Sequence, residues 1–136
     1  MALFNAPFAP APVFNIRAVE AGDADEMVSR LTNEIAAAVA AGEVRMADFK
    51  IAGAGSGLLW QGWFVTGTSV DTPNAPLASL QAVAAVAGSP AEALFYVKQR
   101  LAAEIGVAPS VVHKTVVAGA GDGPTYMAVA LFRLTT

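Results

Sequence analysis

The sequence predicts an α+β fold of two tandem β-α-β-β repeats with pseudo-twofold symmetry, with helices packed on one face of an antiparallel sheet. The first observation is a repeat: residues 51–57 read IAGAGSG, and residues 117–123, 66 positions later, read VAGAGDG. Self-similarity at a fixed period indicates a duplicated structural unit. The second observation is a helix-start signal at equivalent positions of both halves. The third is a pair of extended segments after each helix.

The repeat divides the chain into an arm, two units and a linker. Residues 1–12 carry three prolines at close spacing. They predict an extended arm, because proline fixes its own φ and disfavours a helical neighbour. Its phenylalanines suit an arm that docks on a neighbouring subunit, with a frayed terminus as the alternative. Residues 13–136 then form a single domain. It consists of the repeats 13–67 and 79–136, joined by the linker 68–78.

Both helices carry start signals and apolar stripes. Asp23 with Glu26, and Ser89 with Glu92, are capping boxes, in which each side chain accepts from a free amide at the helix start. Apolar residues about four positions apart predict the buried stripe of each helix. These are Met27, Leu31, Ile35 and Val39 in the first helix and Leu94, Val97, Leu101 and Ile105 in the second. Gly42 is placed to end the first helix in the left-handed conformation.

The remaining segments are predicted to be strands. They are residues 13–21, 46–52, 58–66, 111–118 and 125–134. Residues 77–87 are rich in alanine, which favours a helix, but the repeat aligns them with the first strand and so predicts a strand. The glycine loops then join the last two strands of each half as hairpins, where glycine supplies positive φ. A phosphate-binding loop is the alternative, but it requires a helix after the loop.

Composition and strand patterning favour assembly of this chain with itself. The last strand of each half is apolar on both faces, which is typical of a strand that is covered on both sides. The cover comes either from the sister half or from another subunit. Charged residues make up 14 % of the chain, against about 25 % in ordinary soluble domains. This deficit favours a homo-oligomer.

Other classes of partner and location fit less well. A net charge of −3 with eight Lys and Arg argues against nucleic acid, which is bound by clustered basic side chains. No apolar run reaches the length of a membrane span. The chain has no cysteine, which leaves no thiol chemistry. A cytoplasmic location is the default expectation, because no signal-peptide pattern is present.

Few residues are candidates for chemistry. The candidate ligand-binding residues are Trp60, Gln61, Trp63, Tyr126 and His113. An aromatic ring beside an amide can stack on a planar ligand and hydrogen-bond it, although large aromatics in a two-sided apolar strand are also typical of a core or interface. His113 is the only histidine, and a surface position at the start of a strand is the simpler interpretation. Asp48 and Lys114 occupy equivalent positions beside it and are candidates to pair between the halves.

The unit resembles a known family in its order of elements. A strand-helix-strand-strand unit of this length is similar to the dodecins, small flavin-storing proteins that assemble into hollow shells around an antiparallel sheet. The segment YMAVALFRL, residues 126–134, is similar in character to the last strand of a dodecin. The resemblance covers each half separately and implies homo-oligomeric assembly and a flavin-like ligand. The flavin-stacking tryptophan of the dodecins lies on the strand after the helix, where this chain has Phe49 and Thr115.

The sequence therefore favours a non-enzymatic, self-assembling structural or scaffold protein without a metal or cofactor, since no acid, base and nucleophile come together. The first alternative is an oligomer that holds a planar aromatic or flavin-like molecule at a subunit interface. The second is a small-molecule enzyme with an inter-subunit site around His113, assisted by Asp48 or Lys114.

The arm provides a first test. Deletion of residues 2–12 should lower the mass of the oligomer or its melting temperature markedly, because contacts with the neighbouring subunit are lost. Native mass spectrometry and thermal melting of the truncated and full-length proteins measure both. A truncated protein that assembles and melts like the parent would contradict a docking arm.

Overall fold

The computed structural model describes residues 14–54, 59–67, 75–120 and 123–134. The predicted arm lies outside the described residues, as do residues 68–74 of the linker and the tips of both glycine loops. The first unit contains β1 (Phe14–Ala21), α1 (Ala24–Ala40), β2 (Arg45–Gly53) and β3 (Trp60–Gly67). A two-residue strand, β4 (Ala75–Pro76), precedes the second unit, which contains β5 (Gln81–Ala87), α2 (Pro90–Ile105), β6 (Ser110–Gly119) and β7 (Tyr126–Leu134).

The α+β class and the two β-α-β-β units are confirmed. Sheet one has the strand order β1-β3-β2-β4 and sheet two the order β5-β7-β6, with every pair antiparallel. The contested alanine-rich segment is a strand, as the repeat predicts. Its helical propensity is overridden because β5 finds a partner in β7.

The two units also share their register. Ala21 lies opposite Trp60 in sheet one, and Ala87 lies opposite Tyr126, 66 positions later, in sheet two. Each unit has an irregularity at the same place. In β2 it falls at Ala47, between Met46 and Asp48. In β6 it falls between Val112 and Lys114, at His113. An extra residue of this kind leaves the ladder and bends the strand.

The predicted helix starts are confirmed. Asp23 accepts a hydrogen bond from the Glu26 amide at 2.7 Å, and Ser89 accepts from the Glu92 amide at 3.2 Å. In each box the glutamate accepts from the glycine amide before the cap residue, not from the cap residue itself, at 2.8 Å for Glu26 and Gly22. At the other end of α1, Gly42 has φ +89°, the conformation expected of a helix-ending glycine.

The apolar stripes are correct except at one position in each helix. Val39 and Leu94 were expected to be buried, but both side chains are exposed. Ala38 and Ala93 occupy the buried positions instead. Each helix therefore approaches its sheet through a small residue, and the larger residue beside it points outward.

The glycine loops are hairpin connections, and a strand follows each of them. The Ala54 amide donates to the Leu59 carbonyl at 3.0 Å, and the equivalent Ala120 amide donates to the Thr125 carbonyl at 2.8 Å. Gly123 has φ +67°, which is the predicted role. Gly53 and Gly119 end strands without positive φ, and the other loop glycines lie outside the described residues. Because β3 and β7 are the elements that follow the two loops, the described structure lacks the helix N-terminus on which phosphate-binding loops depend.

The two sheets enclose most of the core. Helix α1 packs mainly against β1 of its own sheet and β5 of the other, whereas α2 packs across β5, β7 and β6. The larger core cluster lies between three surfaces: α1, the helix-facing side of sheet one, and the side of sheet two that faces away from α2. Its large residues from the two sheets are Phe49, Trp60, Phe64, Met127, Val129 and Leu131. A second cluster lies between α2 and the opposite side of sheet two. The sister half therefore supplies the cover that two-sided β7 needs.

This packing joins unlike faces of the two units. Sheet two is buried against unit one through the side that faces away from α2. The equivalent positions of sheet one, 66 residues earlier, lie on the side that faces away from α1. We call that side of sheet one the open face. It comprises Ile16, Ala18 and Glu20 of β1, Asp48, Lys50 and Ala52 of β2, and Gln61, Trp63 and Val65 of β3.

Trp60 links the sheets directly. Its side chain is 1 % exposed, and its indole N–H donates to the Ala118 carbonyl of β6 at 3.0 Å. Trp60→Phe should lower the free energy of unfolding by about 1–3 kcal/mol, because the change removes the indole hydrogen bond to partly buried Ala118 and opens space in the core.

Urea denaturation measures this effect. Val107→Ala, which alters a fully exposed side chain, is the control and should stay within about 0.5 kcal/mol of the parent. If Trp60→Phe were as stable as the parent, the indole would not hold the sheets together.

Candidate functional site

The five candidate residues do not form one site. Trp60 lies in the larger core cluster, and Tyr126 packs against the second cluster, so the two rings lie on opposite sides of sheet two. The Tyr126 ring also covers Gly119 so closely that a Cβ there would lie 3.1 Å from a ring carbon. Both aromatics are accounted for by packing.

His113 occupies the irregular position of β6 and is half-buried. It does not sit at the start of a strand on the surface, as the simpler interpretation expected. The Arg133 Nε donates to His113 Nε2 at 3.2 Å. This hydrogen bond requires that the Nε2 atom carry no proton. Burial lowers the pKa of His113, and the nearby Arg133 charge lowers it further.

Asp48 and Lys114 pair with each other, as predicted. The Lys114 Nζ lies 2.5 Å from Asp48 Oδ1 and joins β6 to β2. The ammonium group holds the pKa of Asp48 below its usual value. Both side chains are substantially exposed, and an exposed pair of this kind contributes little to stability. Neither is hydrogen-bonded to His113 in the described structure, and the three do not form an acid-base relay.

Gln61 and Trp63 lie together on the open face. Trp63 is 36 % exposed, and the Gln61 Nε2 donates to Glu20 Oε2 at a long 3.5 Å. A cleft of about 680 Å³ lies along β1 beside α1 and reaches both side chains. Of the five candidates, these two are the most exposed, since Trp60 is buried and Tyr126 and His113 are half-buried.

The open face carries an exposed isoleucine that was not among the predicted site residues. Ile16 is 71 % exposed, and Ala18 beside it is also exposed. In an ordinary surface strand the apolar side chains point to the core and the charged ones to solvent. In β1 the charged Arg17 points inward and the apolar Ile16 points outward. Among the described residues, no strand pairs with the other edge of β1. On that edge, the Asn15 Oδ1 accepts from the Ile16 amide at 2.9 Å.

Arg17 is held inside by a network of polar groups. Its Nε and Nη2 donate to the two carboxylate oxygens of Glu43, at 2.9 and 2.7 Å, and its Nη1 donates to Glu34 at 2.9 Å. Thr66 also donates to Glu43, and Asn15 contacts the same carboxylate at 3.5 Å. The bidentate geometry is the strong form of this interaction.

The network perturbs both ionised groups. The Arg17 guanidinium holds the pKa of Glu43 at about 2, well below its ordinary 4.5, although burial acts in the opposite direction. Glu43 and Glu34 in turn raise the pKa of Arg17. The equivalents of Arg17 and Thr66 in unit two are Val83 and Phe132, which are buried and apolar. The network is therefore a property of unit one alone.

In the described ranges, His, Asp and Glu side chains nowhere gather in groups of three or more that could hold a metal ion. Neither helix in this part of the chain is long and apolar enough to cross a membrane.

Comparison with known proteins gives no match. No protein-family model matches the chain, and no curated protein and no solved structure is significantly similar to it. The similarity to the dodecins therefore concerns the order of elements alone.

The ionic network generates a pH prediction. Because the pKa of Glu43 is lower in the folded chain than in the unfolded chain, its contribution to stability is present above about pH 4.5 and is lost as the pH falls towards 2. Glu43→Gln should cost about 3 kcal/mol near pH 7, and the difference from the parent should shrink across that acid range.

Urea denaturation from pH 2 to pH 7 measures the difference. Glu104→Gln, which alters an exposed carboxylate on α2, is the control. A gap between the Glu43→Gln variant and the parent that stayed constant with pH would show that the Glu43 charge is not what stabilises the cluster.

Proposed function

We propose that this chain is a non-enzymatic, self-assembling structural protein, and that the open face of sheet one is a contact between copies. One observation carries the proposal. The side of sheet two equivalent to the open face is buried inside the chain, whereas the open face presents Ile16, 71 % exposed, and Trp63 to solvent. A second copy would give the open face the cover that sheet two already receives.

The chemistry of the open face suits such a contact. Rows across the sheet combine apolar and polar side chains, as in Ala18–Trp63–Lys50 and Glu20–Gln61–Ala52. Interfaces between proteins typically have an aromatic and aliphatic centre with a polar rim. The low share of charged residues, 14 %, also supports an assembly that covers part of the surface of each copy.

Ile16→Lys tests this function. A lysine at the centre of the contact should raise the dissociation constant of the assembly at least about tenfold, since burial of an isoleucine side chain is worth about 2 kcal/mol. Sedimentation velocity over a range of concentrations measures the shift.

Val39→Lys is the matched control, because Val39 is an exposed apolar residue at the end of α1 and not part of the open face. The control should assemble like the parent. If Ile16→Lys also did so, the open face would not be the contact.

A ligand-binding role is the second candidate, and the cleft beside β1 favours it. Its volume of about 680 Å³ is in the range of small-molecule pockets, and it reaches Gln61 and Trp63. Riboflavin is a suitable planar probe, and quenching of Trp63 fluorescence reports stacking. Native mass spectrometry of the untreated protein reports any retained molecule. An absence of both signals would remove this candidate.

A further inference from the structure

A second apolar surface lies on the outer side of α2. Leu94, Phe95 and Tyr96 are exposed by 37, 54 and 40 %. The rings of Phe95 and Tyr96 are in contact, with centroids 5.8 Å apart and a tilt of 57°. The inner side of α2 is already used, because Ala93 and Val97 are buried against sheet two. We call Leu94, Phe95 and Tyr96 the helix patch.

The helix patch corresponds to a surface of α1 that has a partner inside the chain. Leu94 and Phe95 are the equivalents, 66 positions later, of Val28 and Ser29. Helix α1 packs against β5, and Val28 is partly buried against the core there. Val28 and Ser29 line a cavity together with residues 82–84 of β5. This side of α1 therefore faces unit two.

The surface that α1 meets has its own equivalent in unit one. Ala82 and Ala84 of β5 correspond to Ile16 and Ala18 of β1, and all four lie on the same side of their sheets. Inside the chain, helix positions 28 and 29 thus lie beside strand positions 82 and 84. Within the described residues, the equivalent surfaces have no such neighbour: helix positions 94 and 95 and strand positions 16 and 18 are exposed.

We propose that the helix patch of one copy packs on the open face of the next, so that the contact between units is repeated between chains. The inference rests on the proposed function and names the partner surface of the open face. At three of the positions that would meet, the side chain is larger and more apolar than its internal counterpart: Leu94 and Phe95 stand in place of Val28 and Ser29, and Ile16 in place of Ala82. Only the helix part of the internal contact is repeated, because α2 lies across sheet two and covers its helix-facing side.

A contact of this kind is heterologous, since each copy contributes a different surface. It propagates from copy to copy and yields a closed ring where the rotation closes, or a filament where it does not. A contact of the open face with itself would instead give a symmetric dimer. The two arrangements predict different behaviour when each surface is blocked separately.

The experiment uses two variants of the full chain, Ile16→Lys and Phe95→Glu, alone and mixed in equal amounts. Native mass spectrometry gives the masses, and circular dichroism checks that each variant folds, as expected for two exposed positions. Alone, each variant lacks one of the two surfaces and should be monomeric. In the mixture, the intact Phe95 of the first variant meets the intact Ile16 of the second. The expected product is a one-to-one heterodimer that grows no further.

The remaining outcomes separate the inference from the proposed function. If the parent is monomeric, both fail. If Ile16→Lys disrupts the assembly but Phe95→Glu assembles like the parent, the open face is a contact but its partner is not the helix patch, and the inference alone is overturned. It is also overturned if both variants are folded monomers and their mixture contains no heterodimer. Leu94→Glu serves as a second blocked helix patch if Phe95→Glu does not fold.

Discussion

The packing of sheet two against the helix-facing side of sheet one is the interaction on which the rest of the structure depends. Strand β7 carries apolar side chains on both faces, and all residues from Met127 to Phe132 are buried. Helix α2 covers one face, and unit one covers the other. Trp60 and the Asp48–Lys114 pair connect the sheets near β2 and β6. Because α1 lies along β1 and β5, the rest of the helix-facing side of sheet one packs against sheet two.

The polar residues of unit one determine which face is buried. At positions where sheet two has Val86, Met127 and Val116, the open face has Glu20, Gln61 and Lys50. A chain that buried the open face in its own core would have to desolvate these groups, which is costly without partners. On the opposite side of sheet one, the partly buried Arg17 guanidinium is satisfied because it donates to the carboxylates of Glu43 and Glu34. The arrangement of charges therefore opposes the alternative stacking of the two units.

Much of the fold is encoded locally and could be predicted. The repeat, the capping boxes and the glycine hairpins depend on neighbouring residues, and the repeat correctly assigned β5 as a strand against its alanine content. The inward orientation of Arg17 could not be predicted in this way, because its partner Glu43 follows α1 and meets it only in the folded chain. The exposure of Val39 and Leu94 likewise depends on how each helix is rotated on its sheet. His113 lies at an irregularity whose position is visible only in the pairing of β6 with β7.

The candidate site was predictable only in part. Gln61 and Trp63 were recognised because large aromatic and amide groups are conspicuous, whereas Ile16 is one apolar residue within the predicted strand 13–21. Its significance depends on which side of sheet one faces the core, which is a tertiary property. The helix patch was missed for a related reason, since Leu94 was counted in the buried stripe of α2.

Coverage of the open face in solution is the central claim, and hydroxyl-radical footprinting with mass spectrometry measures it directly. Labelling of Ile16 and Trp63 should be slow at high protein concentration and should rise on dilution. Trp60, buried in the core, should stay slow throughout, and fully exposed Val107 should stay fast. If Ile16 and Trp63 were labelled at the same high rate at every concentration, the open face would be bare in solution and the account would be contradicted.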